Sequence, residues 1–274
     1  MLRLRGVSLS FGGIQAIRDL DLDVADGMVG ALIGANGAGK TSVLNVISRF
    51  YRPQAGTVHN DEVDILKLKA HQVIEHGISR SFQNVALFSQ LSVLDNLLVG
   101  ADHIARPRLL TNMLRLPKAR RHNREARRRA ERALEFLGIG HLRDRPASDL
   151  AFGDRKLVDM GRALTAQPKL LLLDEPAAGI PASEHAALAK LIREIPTVWG
   201  SSVLLIDHSM ELVLSAASHV VAMDFGAKIA EGTPDEVRSH PRVIAAYLGE
   251  GADGQPEGRR PSPAAQERRP QRSV

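Results

Sequence analysis

Gly34-Ala35-Asn36-Gly37-Ala38-Gly39-Lys40-Thr41 satisfies the pattern G-x-x-x-x-G-K-[ST], a phosphate-binding loop, and the remainder of the chain is read outward from it. Residues 28–33 precede it as a short apolar run of strand length, and residues 42–48 follow with apolar side chains at helical spacing. Strand, glycine loop and helix form the context that the pattern requires. Glycines let the backbone wrap closely around phosphate oxygens, so that N–H groups and the helix N-terminus face the anion. Gly34, Asn36, Gly37, Gly39 and Ser42 are then the expected cradle. Lys40 reaches the β- and γ-phosphates, and the Thr41 hydroxyl binds Mg²⁺. The plainer alternative is an ordinary glycine-rich turn, which the flanking strand and helix argue against. A nucleoside triphosphate, ATP in the first instance, is the expected ligand.

At 274 residues the chain can bury a full core, and 44% apolar with 24% charged residues is ordinary for a soluble globular protein. No run of eighteen apolar residues occurs, so no transmembrane helix is expected. The N-terminus runs directly into folded-looking sequence, with no secretory signal expected. Without cysteine, disulfides and thiolate metal sites are excluded. The net charge of +5 is uneven: residues 105–132 hold eleven Lys/Arg against Glu125 and Glu131, the tail from Gly251 is mildly basic, and the rest is net acidic. A basic patch could contact nucleic acid, but it lacks interleaved aromatics in a chain only 4% aromatic, so no nucleic-acid partner is expected. A solvated helix face is the simplest account of it, with anionic lipid or an acidic partner as the alternative.

Residues 1–33 alternate as β-strands around a Gly12-Gly13 turn, and Asp26-Gly27 is a hairpin-type turn signal. Phe11 at the first turn reads equally well as a core residue or as a ring that stacks on adenine. Residues 70–78 read as helix, and Ile78–Gln83 as a strand ending in a polar amide. Gln83 could cap a turn, but strand ends are where open α/β sheets bind ligands. Ala126, Ala130, Leu134 and Leu137 form one apolar face of a helix closing at Gly138. Leu170–Leu173 and Val203–Ile206 are continuous apolar runs alternating with helices, the mark of a mostly parallel sheet covered on both faces. Residues 235–248 read as a last helix. From Gly251 the composition cannot order itself, so 251–274 is expected to be a disordered basic tail.

The four leucines end at Asp174-Glu175, and the next apolar run ends at Asp207-His208. A buried strand delivering two carboxylates to a phosphate site lets Asp174 hold Mg²⁺ and Glu175 polarise a water for attack on the γ-phosphate. Strand-end acids without a role are the simpler alternative, as a capped surface histidine is for His208.

The order of phosphate loop, strand-end Gln83, helix start Leu150-Ala151-Phe152-Gly153-Asp154, Leu170–Pro176 and strand-end His208 resembles the ATP-binding subunit of ABC transporters over about residues 1–250. The resemblance implies an α/β P-loop NTPase core, RecA-like, with an N-terminal antiparallel β subdomain and an inserted helical subdomain at about 84–165. It implies that Phe11 stacks on adenine and that Gln83 senses Mg²⁺ and the attacking water. Asp174 then serves the metal, Glu175 is the general base, and His208 contacts the γ-phosphate. Two such domains close head to tail, so Ala151 and Gly153 of one meet the ATP of the other. Ala151 stands where the family usually has Ser, and Pro181 about where Asp or Asn is common; the expectation is closure with slow hydrolysis, or with one site relying on a different partner subunit.

Phe11–Ala16, the insertion at 101–125, Asp174–Gly179, Ile229–Pro234 and Val243–Gly249 look like the branched-chain amino acid importer type. That implies an ATPase on the cytoplasmic face of the membrane, with two polytopic permease subunits and a second ATPase subunit, identical or paralogous. An external substrate-binding protein is an indirect partner. Branched-chain amino acids or related small polar amides are the implied cargo. Asn84–Ser89, with Leu87 and Phe88, is the expected contact with the permease, burial of those two side chains within the helical subdomain being an equal alternative. An exporter ATPase, or a soluble non-transport ABC protein, is the alternative.

Overall fold

The computed structural model describes residues 1–81, 86–101 and 117–252, without the side chains of 117–120, 122 and 248–252. Two sheets share the work. The first is antiparallel, ordered β2-β1-β4-β5, from β1 (Leu2–Phe11), β2 (Ile14–Val24), β4 (Ala55–Asn60) and β5 (Val63–Asp64). Leu2, Leu4, Val7 and Leu9 are buried on one face of β1, and the step between Leu4 and Val7 is a register shift at Gly6.

The second sheet is ordered β10-β9-β3-β8-β7-β6, from β3 (Val29–Gly34), β6 (Ile78–Ser81), β7 (Leu170–Asp174), β8 (Ser202–Ile206), β9 (His219–Asp224) and β10 (Ala227–Gly232). Its neighbours are parallel except β10, which pairs antiparallel with β9. The continuous apolar runs are explained by two cores. Leu171 and Leu173 face one and Leu170 and Leu172 the other; Val203 and Leu205 oppose Leu204 and Ile206 in the same way. Complete burial of each such leucine stabilises the fold by about 1.5–3 kcal/mol.

One core face is closed by α1 (Lys40–Ile47) and the antiparallel sheet. The other carries α2 (Val93–Ala101), α3 (Pro117–Phe136), α4 (Phe152–Thr165), α5 (His185–Trp199) and α6 (Met210–Ala216). Ala126, Ala130 and Leu134 are buried on α3 and Leu137 in the turn just after it, while Arg124, Arg127 and Arg128 are exposed, as the spacing predicts. Arg127–Glu131 and Arg129–Glu125 pair along the helix. Much of the basic insertion, together with Gln83 and Asn84, lies outside the described residues.

Three local expectations are corrected. Asp26-Gly27 does not make a hairpin: β2 and β3 belong to different sheets, and the Gly27 N–H donates to Ser202 Oγ at 2.9 Å. The helix expected over residues 70–78 is instead two 3₁₀ turns, Ala70–Gln72 and Ile74–His76, closed by Gly77 at φ 80°, with Ile78 already in β6. The last helix is two, α7 (Pro234–Ser239) and α8 (Pro241–Ala252), because Pro241 interrupts the pattern and His240 before it is extended. The second also enters the stretch expected to begin a tail at Gly251.

Candidate functional site

Gly34 ends β3 and Gly39 caps α1, with φ of 154° and 103°. A Cβ on Gly34 would lie 2.2 Å from the Met223 carbonyl oxygen, and one on Gly39 equally close to that of Ala16. The backbone therefore turns where no side chain fits, which is why this stretch needs those glycines. Lys40 is buried, its Nζ donating to the carbonyls of Gly34 at 2.6 Å and Ala35 at 2.8 Å. No acidic residue occupies the first turn of α1, so the positive end of the helix is not neutralised from within. Thr41 is exposed in that turn. A cradle of this shape and charge suits a polyphosphate.

Asn36–Ser42 line a cleft of about 400 Å³ together with Gly13, Ile14, Gln15, Ala16, Arg18, Phe225 and Glu175. The Phe225 side chain, 75% exposed, stands in the turn between β9 and β10. Sequence reading gave no site role to Ile14, Arg18 or Phe225, since they meet the loop only through the packing of the two sheets. Phe11 is not among the lining residues; its ring lies edge-on to Tyr51 with centroids 5.0 Å apart.

β7 delivers the acid pair. Asp174 is buried, and Arg80 of β6 donates to its Oδ2 at 2.7 Å and to Asn45 Oδ1 of α1 at 2.8 Å. Glu175 takes up a left-handed conformation, φ 48°. Its N–H donates to Ile206 O at 2.7 Å, and its carbonyl accepts from Lys156 Nζ at 3.0 Å. Strand β8 and helix α4 thus hold that backbone from two sides. Burial pushes the pKa of Lys156 down, opposed by the charges of Asp159, Glu175, Asp174 and Asp207.

At the next strand end, buried Asp207 accepts from the N–H of Ala177 at 2.9 Å and of Ser209 at 2.8 Å, tying the turn after Glu175 to the end of β8. His208 beside it is exposed, outside the lining of the cleft. Ala151, Phe152 and Gly153 border a different cleft, of about 500 Å³, with Gly179, Ile180 and Pro181. Within one chain, Ala151 and Gly153 are not brought to the phosphate loop. Gln83 falls outside the described residues.

Among the described residues no three His, Asp or Glu side chains cluster as a metal cage. The oxygen donors lining the cleft include the Thr41 and Ser42 hydroxyls and Glu175, with Asp174, paired to Arg80, one residue before Glu175 at the end of β7. Such a sparse oxygen set fits a hard cation that completes its shell with phosphate oxygens and water.

Comparisons with known proteins identify the family. The ABC transporter family model matches residues 17–178, and that of the branched-chain amino acid ATP-binding cassette transporter matches residues 227–253. The chain is 38% identical over 250 residues to the high-affinity branched-chain amino acid transport ATP-binding protein BraF of Pseudomonas aeruginosa, spanning 91% of this chain and 98% of that one. To the protein LivG of Escherichia coli, described in the same words, it is 37% identical over the same spans. Among solved structures it is similar to a nucleotide-free ATP-binding cassette from an ABC transporter (TM-score 0.75, 31% identity, 90% and 98% coverage). It is also similar to the ADP conformation of another such cassette (TM-score 0.78, 32% identity, 91% and 98% coverage).

Proposed function

The chain belongs to the ABC transporter family of ATP-binding cassettes, and from that premise we propose that it powers an importer of branched-chain amino acids or related small polar amides. The observation that carries the ATPase chemistry is that Glu175 lines the same cleft as Lys40, Thr41 and Ser42. ATP lays its phosphates on the loop N–H groups, and the Lys40 ammonium balances the β- and γ-phosphate charge. Glu175 accepts a proton from water as the water oxygen bonds to the γ-phosphorus and the bond to the ADP oxygen breaks. The backbone clamp from Ile206 and Lys156 aims that carboxylate. Thr41 and Asp174 would hold Mg²⁺, which supplies charge neutralisation on the phosphates. Phe11, Phe225 and Ile14 are the apolar groups nearest in the chain or the cleft for a base.

A second copy or a paralogous ATPase, packed head to tail, would bring its own Ala151–Gly153 turn to this nucleotide. The permease contact is the segment after Gln83. Phe88 is 53% exposed there, whereas Leu87 packs partly into the core. Arg162 of α4 pairs with Asp159 and donates to Ala86 O at 2.7 Å, so this segment is tied to the helix that carries the Ala151–Gly153 turn. No described helix is long and apolar enough to cross a membrane, consistent with a peripheral subunit held by permeases.

Glu175→Gln keeps size and hydrogen bonding but removes the base. It should lower ATP hydrolysis by about 100-fold or more while retaining ATP binding, and accumulate a nucleotide-dependent dimer by size. Hydrolysis at the parent rate would refute the assignment. Affinity purification from detergent-solubilised native membranes should bring down two polytopic subunits and a second ATPase. Recovery of ribosomes or nucleic acid instead would favour a soluble ABC protein.

A further inference from the structure

The last described helix reaches back to the root of the phosphate loop. Tyr247 of α8 lies 213 residues from Gly34, yet its hydroxyl accepts a hydrogen bond from the Gly34 N–H at 3.1 Å. Its ring is half-buried against the larger core, beside Val243 of the same helix, which is fully buried there. Gly34 is held on both sides: its N–H by Tyr247 and its carbonyl by Lys40 Nζ at 2.6 Å. The two peptide planes that meet at the Gly34 Cα are therefore each anchored, and together they set its φ of 154°. Strand pairing holds this point from one side only: β3 stays in register with β9 through Gly34 opposite Met223, whereas its register with β8 ends at Leu32, two residues earlier.

We propose that Tyr247 is a positioning residue for nucleotide binding. It braces Gly34 from α8, and through the Gly34 carbonyl it sets where the Lys40 ammonium waits for the phosphates. Tyr247 touches no nucleotide; it acts through the loop. The proposal rests on the ATP-binding reading of the loop and deepens it, making the C-terminal helix part of the phosphate site. Because the loop and Lys40 grip the β-phosphate as well as the γ-phosphate, the brace serves ADP and ATP alike.

The test is calorimetric titration of the full chain with ATP and with ADP, the ATP titration under conditions that prevent hydrolysis, beside thermal melts. Tyr247→Phe removes the hydroxyl and keeps the ring. It is expected to weaken ATP and ADP in parallel, by about threefold to tenfold, the loss expected for one hydrogen bond. Val243→Ala on the same helix is the control, since it loosens the core packing of α8 without touching Gly34. It is expected to lower Tm at least as much while leaving both affinities at their parent values. Unchanged affinities in Tyr247→Phe overturn the brace. So does an equal loss in Val243→Ala, which would show that only helix packing matters. Failure of the parent chain to bind either nucleotide would instead overturn the reading of the loop itself, and the brace with it.

Discussion

Arg80 Nη2 donates to Asp174 Oδ2 at 2.7 Å across the pairing of β6 with β7, with the two side chains only 8% and 3% exposed. The same guanidinium also reaches Asn45 of α1, so one cation spans the acid strand and the helix that follows the phosphate loop. A buried pair of this kind gives little net stability against an apolar replacement, yet removal of one partner strands the other charge.

Arg80→Met should therefore destabilise the fold by about 3–5 kcal/mol, and pairing it with Asp174→Asn should recover much of that loss. Denaturant melts of the two single variants and the double variant measure the coupling. Additive losses would show that the pair does not behave as a unit.

Phe88 and Leu87 should separate. Phe88→Ser removes exposed apolar surface and is expected to leave Tm within about 2 °C while reducing recovery with native membranes. Leu87→Ser puts a hydroxyl where the side chain packs on the core, and is expected to lower Tm by several degrees, about 1–2 kcal/mol. Flotation with membranes, beside thermal melts, distinguishes the two. Normal flotation of Phe88→Ser would exclude this ring from the permease contact.

Asp61 accepts from Lys169 Nζ at 2.8 Å and from the Met1 ammonium at 2.6 Å, and these partners hold its pKa at about 2, below the usual 3.8. A carboxyl depressed in the folded state contributes stability above its unfolded value and loses it as pH falls through the folded one. With about a third of the side chain exposed, solvent screens the pair, and the contribution is under about 1 kcal/mol. Asp61→Asn should therefore lower Tm slightly at pH 7. The gap to the parent should close between pH 4 and pH 2, as scanning calorimetry across that range would register.

Gly179 sits at φ 75°, and a Cβ there would lie 2.5 Å from the Phe152 ring. Gly179→Ala carries a backbone cost of about 1 kcal/mol and pushes the aromatic ring off the turn after Glu175. Reduced hydrolysis is expected. Phe152→Ala in the same chain should restore part of it, whereas an unchanged deficit would assign the whole effect to the backbone.

The sequence by itself determined whatever depends on a few consecutive residues. The glycine pattern before Lys40 encodes a backbone path closed to other side chains, and Leu170–Leu173 encodes a strand buried on both faces. The acids at its end, and the apolar face of α3 at Ala126 and Ala130, were legible for the same reason: period and local chemistry act within one element. Only the tertiary structure decided which distant groups meet. Arg80 finds Asp174 across 94 residues, Lys156 holds the Glu175 carbonyl from another helix, and Tyr247 reaches Gly34 across 213. That Phe225 and Ile14 wall the cleft likewise follows from how the two sheets pack. Such contacts follow from strand order and from the burial of two cores at once, and no local spacing records either.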